Sequence, residues 1–369
     1  KLFYDLEMPT NQVLYLMEKE GIFVDTHELK DLKIKVDQRL GVIKQEIMSL
    51  LPENLIDINL NSPKQLEDLL FNKLQLIPVK KTTGKTGYST DYEVLLELAK
   101  VHPVPGLIIK YRELFKLKST YVDAFFDYIN PKTSKIHTTF SQTSVATGRL
   151  ASSDPNMQNI PVEQIYSDIN IRSIFKAPEN HIFISADYSQ IELRVLAHFS
   201  QDKNLLQAFK ENQDIHAITA AGLFDVQADK ITREQREFGK RINFSILYGL
   251  TAYGLSQDLN VSFSDAQKYI EKYFAQFPGV SSWMESVVQE TIDNGYVTTY
   301  MGRRRYIPGI YEKNRNLFDA AKRVAINTKA QGTAAEIMKI AMVNLNDHFE
   351  KQNNDSKIIL SNYPSYKQF

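Results

Sequence analysis

Between residues 181 and 199 the hydrophobic period of the chain changes. "HIFISADYS" alternates as a strand with one buried face does, and "QIELRVLAHFS" then sets Ile191, Val195, Leu196 and Phe199 on one face of a helix. Strand, carboxylate, helix is the expected local order, which suggests a fold of mixed class. Asp187 closes the strand. A carboxylate at a sheet edge stands where ligand and metal sites often form, but Asp is also a good helix N-cap, and from the strand alone the cap is the better reading.

The flanking sequence is mostly helical. "NQVLYLMEKEGIFVD" has helical spacing at Val13, Leu14 and Met17 and stops at Gly21, and "THELKDLKIKVDQRLGVIKQEIMSLL" predicts a long amphipathic helix up to Pro52. "NLNSPKQLEDLLFNKL" offers Ser62 as a cap and Pro63 at the first helical position. The polar run "KKTTGKTGYST" reads as a basic loop; its "GKT" is not a phosphate loop, because that pattern needs a glycine five residues before Gly84 and Val79 is there. Residues 200 to 300 are again mainly helical. "GYVTTYMGRRRYIPG" has the punctuation of a hairpin, "NLFDAAKRVAINTKAQGTAAEIMKIAMVNLNDHF" predicts one or two long helices, and "SKIIL" one more strand. The layout is α+β, a strand-based platform carrying helical insertions.

Composition narrows the chemistry. With no cysteine among 369 residues, disulfides, thiolate catalysis and Cys-bound zinc are excluded, and the seven histidines have no pair at zinc-ligand spacing. The 44 basic and 44 acidic residues cancel, so a nucleic-acid partner would be gripped by locally segregated charge. No apolar run reaches the ~20 residues of a membrane span and the N-terminus lacks a signal-peptide pattern, so the expectation is a soluble cytoplasmic protein with no membrane partner.

Three constellations could carry chemistry. Besides Asp187 there is "REQREFGKRINFSILYG", where Arg236, Lys240, Phe244 and Tyr248 recur every four residues along one helical face. Cations for phosphates followed by flat rings for a base suit a nucleotide; a helix rotating from surface to core would give the same stripe. The third is a set of polar turns, "TSVATGRLASSDPNMQNIP" with Arg149 and "NTKAQGTAAE" with Gln331, whose donors alone signify little.

Read together, "TGRLASSDPNMQNIP", "DYSQIELRVLAH", "RINFSILYG" with its preceding Arg and Lys, "YMGRRRYIPG" and "NTKAQGTAAE" resemble the polymerase domain of family A DNA polymerases, over nearly the whole chain. The resemblance implies a right-hand fold with an antiparallel palm sheet and helical fingers and thumb. Residues 1–120 would be the thumb, 121–199 the first part of the palm, 200–305 the fingers and 306–369 the second part of the palm. It implies template-directed nucleotidyl transfer from deoxynucleoside triphosphates to a primer 3′ end, with two Mg2+ ions, by a monomer. Asp187 matches the first metal-bridging carboxylate, with the Tyr188 carbonyl as a further ligand and Gln190 beside them. Glu192 matches the residue that closes the space around the sugar 2′ position. Arg236, Lys240 and His216 would meet the triphosphate, Phe244 would pack under sugar and base, and Tyr248 would guard the templating position. Phenylalanine at 244 implies discrimination against dideoxynucleotides. Arg149, Asn327, Gln331 and Arg323 match residues that contact primer–template DNA, where minor-groove acceptors are common to every base pair. Thumb cations such as Lys116 and Lys118 would track the backbone.

One expectation follows from a departure. The family carries a second metal-bridging Asp, with His and Glu, on a hairpin after the strand matching "SKIIL"; here "SKIILSNYPSYKQF" contains no Asp or Glu after Asp355. Half the bridging charge would hold two divalent ions poorly, so extension by this chain is expected to be impaired, and a primer–template binding module without catalysis is the alternative. Lost palm strands would expose a sheet edge, and proofreading would be absent from a polypeptide beginning at the thumb.

Overall fold

The computed structural model describes residues 1–52, 58–82, 87–162 and 166–361. They divide into two compact units. One comprises Glu20–Thr139 and Ser153–Phe183; the other comprises Lys1–Lys19, Phe140–Ser152 and the residues from Ile184 onward.

The unit beginning at Glu20 is organised by the helix Thr26–Ser49. Asp25 caps it, its side chain accepting from the N–H groups of His27 and Glu28, and Leu29, Leu32, Val36, Leu40, Ile43 and Ile47 make its buried stripe. That stripe packs on the helix Pro103–Leu117. Ser62 caps the helix Pro63–Glu67, with proline in its first turn, as expected. A small antiparallel sheet places Lys135–Ile136 between Ile22–Phe23 and Ile129–Asn130, with Ile136 opposite both Ile22 and Ile129. Gly21, at φ +67°, ends the helix Met8–Glu20, and a Cβ there would lie 2.7 Å from the His137 ring.

The other unit holds the larger core. The helices Ile191–Ser200, Ile215–Phe224, Arg233–Leu247, Phe263–Gln276 and Pro278–Asn294 bury Leu196, Ile215, Ile246, Tyr273, Phe277 and Trp283 together. Through them runs one helix of 37 residues, Arg315–Lys351, where sequence allowed one or two. Its buried positions include Ala321, Ala325, Ala330, Gly332, Ala334 and Ala335, which lets neighbouring backbone come close. The expected hairpin forms, Tyr296–Thr298 pairing with Arg304–Tyr306 so that Val297 faces Arg305. A second cluster gathers Val13, Leu14, Met17, Phe140, Leu150 and Met342.

Two expected strands do not form. Residues 181–189 have no ladder partner among the described residues, and Ile182 and Ile184 are 81% and 83% exposed. Ile358 and Leu360 of "SKIIL" lie against the second cluster without pairing. Alternation sets which side chains prefer burial, but a strand exists only where a neighbour takes up its N–H and C=O groups, and no described segment does so here. Part of the loop "KKTTGKTGYST", residues 83–86, and residues 362–369 lie outside the described residues.

Candidate active site

The helix Arg233–Leu247 starts at a reciprocal capping box: Gln235 N–H donates to Thr232 Oγ1 at 3.2 Å, and Thr232 N–H to Gln235 Oε1 at 3.0 Å. Its position is set by Gly239, where a Cβ would sit 2.4 Å from the His216 carbonyl oxygen; only glycine lets the helix Ile215–Phe224 approach so closely. Ile242, Ile246 and Leu247 are buried, which leaves Arg236 and Lys240 on the side away from the core. Arg236 donates from Nε to Asp214 Oδ2 at 2.5 Å, and Lys240 Nζ lies 3.9 Å from Glu237; both cations are more than a third exposed. Toward the other end the rings sink in. Phe244 lies 6.2 Å from Tyr248 and 5.9 Å from His216 between ring centroids, and both Phe244 and Tyr248 pack on the core.

His216 is 3% exposed. Thr219 Oγ1 lies 2.9 Å from the Ile215 carbonyl oxygen and 3.1 Å from Asn243 Oδ1, and the Asn243 amide meets His216 Nδ1 at 3.1 Å. Burial lowers the His216 pKa from 6.5 to about 4, against the pull of Asp214, so the ring is neutral near pH 7. A neutral ring brings no charge to a triphosphate. Asn243, fully buried, was not singled out from sequence; its trace is a polar residue between Ile242 and Phe244 on the apolar side of the stripe.

Glu192 is 7% exposed in the first turn of the helix Ile191–Ser200. It pairs with Arg149 and accepts from the Tyr248 hydroxyl at 2.9 Å. Burial raises the Glu192 pKa, opposed by Arg149 and the Tyr248 hydrogen bond. Burial and the neighbouring carboxylate both push the Tyr248 phenol up, so it stays a donor. Three motifs distant in sequence thus meet at one carboxylate.

Asp187 is exposed and does not cap the following helix: Gln190 is at the N-cap, in the left-handed conformation (φ 54°, ψ 41°) and without a side-chain cap. The cap reading falls. Tyr188 is 46% exposed beside it. Among the described residues no three His, Asp or Glu side chains converge on a cation site. Asp187 and the Tyr188 carbonyl would supply two of the about six oxygens a magnesium ion takes, and such an ion commonly draws the others from water and substrate phosphates.

Arg323, Asn327 and Gln331 lie four apart on the long helix and share one face. Arg323 lines a groove of about 520 Å³ with Gly249, Thr251, Phe318 and Lys322. Asn327 donates from Nδ2 to the Tyr248 carbonyl at 3.2 Å, tying this face to the end of the cationic helix, and Gln331 is half-buried. A cluster of Glu7, Arg303, Glu336 and Lys339, the last two of them buried, lies close to the Arg149 turn.

The model of DNA polymerase family A matches residues 26–361, and the chain belongs to that family. The fold is the α+β polymerase fold: the polymerase domain of Pol1 from M. smegmatis, solved in complex with DNA primer-template and dNTP, superposes with a TM-score of 0.87 at 38% identity, covering 97% of this chain and 62% of that one. DNA polymerase I of Caldicellulosiruptor bescii is 45% identical over 359 residues, 97% of this chain and 42% of the relative. The thermostable DNA polymerase I of Thermus aquaticus is 43% identical over 350 residues, 95% of this chain and 42% of the relative. The chain thus spans about two-fifths of the curated relatives' length. No described helix is long and apolar enough to cross a membrane.

Proposed function

We propose that this chain carries the polymerase region of a DNA-directed DNA polymerase, binding primer–template DNA and a deoxynucleoside triphosphate for nucleotidyl transfer. The observation that carries the reading is the stripe from exposed Arg236 and Lys240 to half-buried Phe244 and Tyr248, ending on Glu192. Cations at the open end meet phosphates, the Phe244 ring meets sugar and base, and the Glu192 carboxylate, held from two sides, leaves a sugar 2′-hydroxyl no room or partner. Arg149, Arg323, Asn327 and Gln331 face primer–template, and Gln190 with His216 completes the nucleotide surroundings. The division into thumb (1–120), palm (121–199 and 306–369) and fingers (200–305) belongs to the same reading, as does a monomer in bacterial cytoplasm. Asp187 and the Tyr188 carbonyl would meet magnesium, with water and the substrate phosphates completing its coordination. The second reading is primer–template binding without extension.

The test is fluorescence anisotropy of labelled primer–template with titrated dNTP. Lys240→Ala and Arg236→Ala should each weaken the dNTP-dependent change by about tenfold or more while leaving DNA affinity near wild type, each removing one charged phosphate contact. Unchanged dNTP response in both would sink the assignment. Primer extension by the 369-residue chain separates the two readings: robust incorporation excludes the binding module.

A further inference from the structure

The hairpin loop between Thr298 and Arg304 fits between two of the proposed DNA-facing elements. Arg303 N–H donates to Thr299 Oγ1 at 3.0 Å, and the same hydroxyl donates to Glu336 Oε1 at 2.5 Å. Met301 N–H donates to Glu336 Oε2 at 2.9 Å and Tyr300 N–H to Thr333 Oγ1 at 3.1 Å, so the loop is fixed to the long helix just past Gln331. The Arg303 side chain runs the other way. A Cβ on Gly148 would lie 2.4 Å from Arg303 Nε, and Gly148, at φ +82°, directly precedes Arg149. A Cβ on Gly332 would lie 2.5 Å from Thr299 Cγ2 and 3.0 Å from the Thr147 carbonyl oxygen, so turn, loop and helix touch at a single point.

The guanidinium is anchored from below. Glu7 pairs with Arg303 and accepts from Lys339 Nζ at 2.9 Å on both oxygens, while Arg303 Nε lies 3.9 Å from Glu336. Glu336 and Lys339 are 1% and 0% exposed, and the two carboxylates balance the two cations. A buried ion cluster adds little to stability over apolar packing of the same volume, but it fixes geometry closely. What it fixes here is the turn bearing Arg149.

We propose that Arg303 is a positioning residue that holds the Gly148–Arg149 turn in register with Gln331, so that both side chains address the same stretch of primer–template minor groove. The inference rests on the minor-groove reading of Arg149 and Gln331. A Lys at 303 would keep the charge but not the flat group that fits against Gly148.

The experiment is equilibrium binding of the 369-residue chain to a labelled primer–template and to the same duplex with 3-deaza purines at the primer end, which lack the N3 acceptor. Wild type should bind the 3-deaza duplex roughly tenfold more weakly, the loss of one hydrogen bond from a charged donor. Arg303→Met should bind both duplexes alike, with Arg303→Lys intermediate. Thr299→Val, which keeps volume and removes only the hydroxyl, should shift the ratio the same way and keeps the test open if Arg303→Met does not fold. Val287→Ala, a cavity elsewhere in the same unit, should leave the ratio at the wild-type value, separating positioning from general loosening. If wild type itself ignores the 3-deaza change, the minor-groove reading fails and the inference with it. If wild type discriminates and the Arg303 and Thr299 variants do so equally, positioning alone is overturned.

Discussion

Lowering the pH from 8 to 5 should destabilise the unit that contains Ile184 onward through one group, His216. Its imidazole is held neutral by burial, with a pKa of about 4 against the ordinary 6.5. Between those values the unfolded chain binds a proton that the folded chain does not, so stability rises with pH and falls on acidification. At pH 5 the unfolded imidazole is nearly fully protonated and the folded one about one-tenth protonated, a loss of about 2 kcal/mol relative to pH 8; below pH 4 the loss approaches ~3 kcal/mol. Asp214, Arg236, Lys240 and Glu237 surround the ring electrostatically. Glu192 and Glu336 act oppositely: burial raises their pKa values, so each adds stability as the pH falls through its folded value. Comparison with His216→Gln removes them, since glutamine keeps an acceptor for Asn243 and does not titrate. The chain's one tryptophan, Trp283, lies in the same core as Ile215 and Ile246, so its fluorescence in urea reports this unit. The wild-type midpoint should fall relative to the variant between pH 7 and 5; parallel curves would refute the assignment of a buried, neutral His216.

Three substitutions probe other joints of the same unit by the same fluorescence. Tyr248→Phe removes the 2.9 Å donor to the buried Glu192 carboxylate and should cost about 1.5–3 kcal/mol; no loss would mean that the hydroxyl does not reach Glu192 in solution. Gly239→Ala gains about 1 kcal/mol of helix propensity but places a Cβ 2.4 Å from the His216 carbonyl oxygen, so a net loss of about 1–3 kcal/mol is expected, and a more stable variant would contradict the close crossing. Asp202→Ala takes the cap from the helix Lys203–Lys210 and leaves the Gly279 N–H, 2.9 Å from Asp202 Oδ2, without its acceptor. The expected cost is about 2–3 kcal/mol, and a loss under about 0.5 would show that water replaces the carboxylate.

Whatever depends on neighbours near in sequence was legible before any coordinates. The helix Met8–Glu20 stops at Gly21, Ser62 and Pro63 start a helix, and the Arg236 to Tyr248 stripe lies on one face, because caps and the 3.6-residue period are local properties. The stripe has both characters at once: Arg236 and Lys240 are open to solvent while Phe244 and Tyr248 pack inward, so the rotation from surface to core is itself the arrangement proposed to face the nucleotide. Contacts between distant segments left no such mark. Nothing in "MGRRRY" distinguishes Arg303, packed on Gly148, from Arg304, whose guanidinium lies 5.0 Å from the Tyr296 ring.

The fate of the segment before Asp187 follows from the same distinction. Ile182 and Ile184 carry a strand's alternation, but alternation is a statement about one chain's side chains, and a ladder is a statement about two backbones. Gln190 takes the left-handed conformation at the N-cap of the helix Ile191–Ser200, so Asp187 is not its cap. With its approach extended and unpaired, Asp187 stays exposed, whereas Glu192, five residues on, is buried and bonded to two other motifs. The two carboxylates that sequence placed side by side therefore differ in kind. Glu192 has its geometry from the core beneath it, and Asp187 has no comparable support among the described residues.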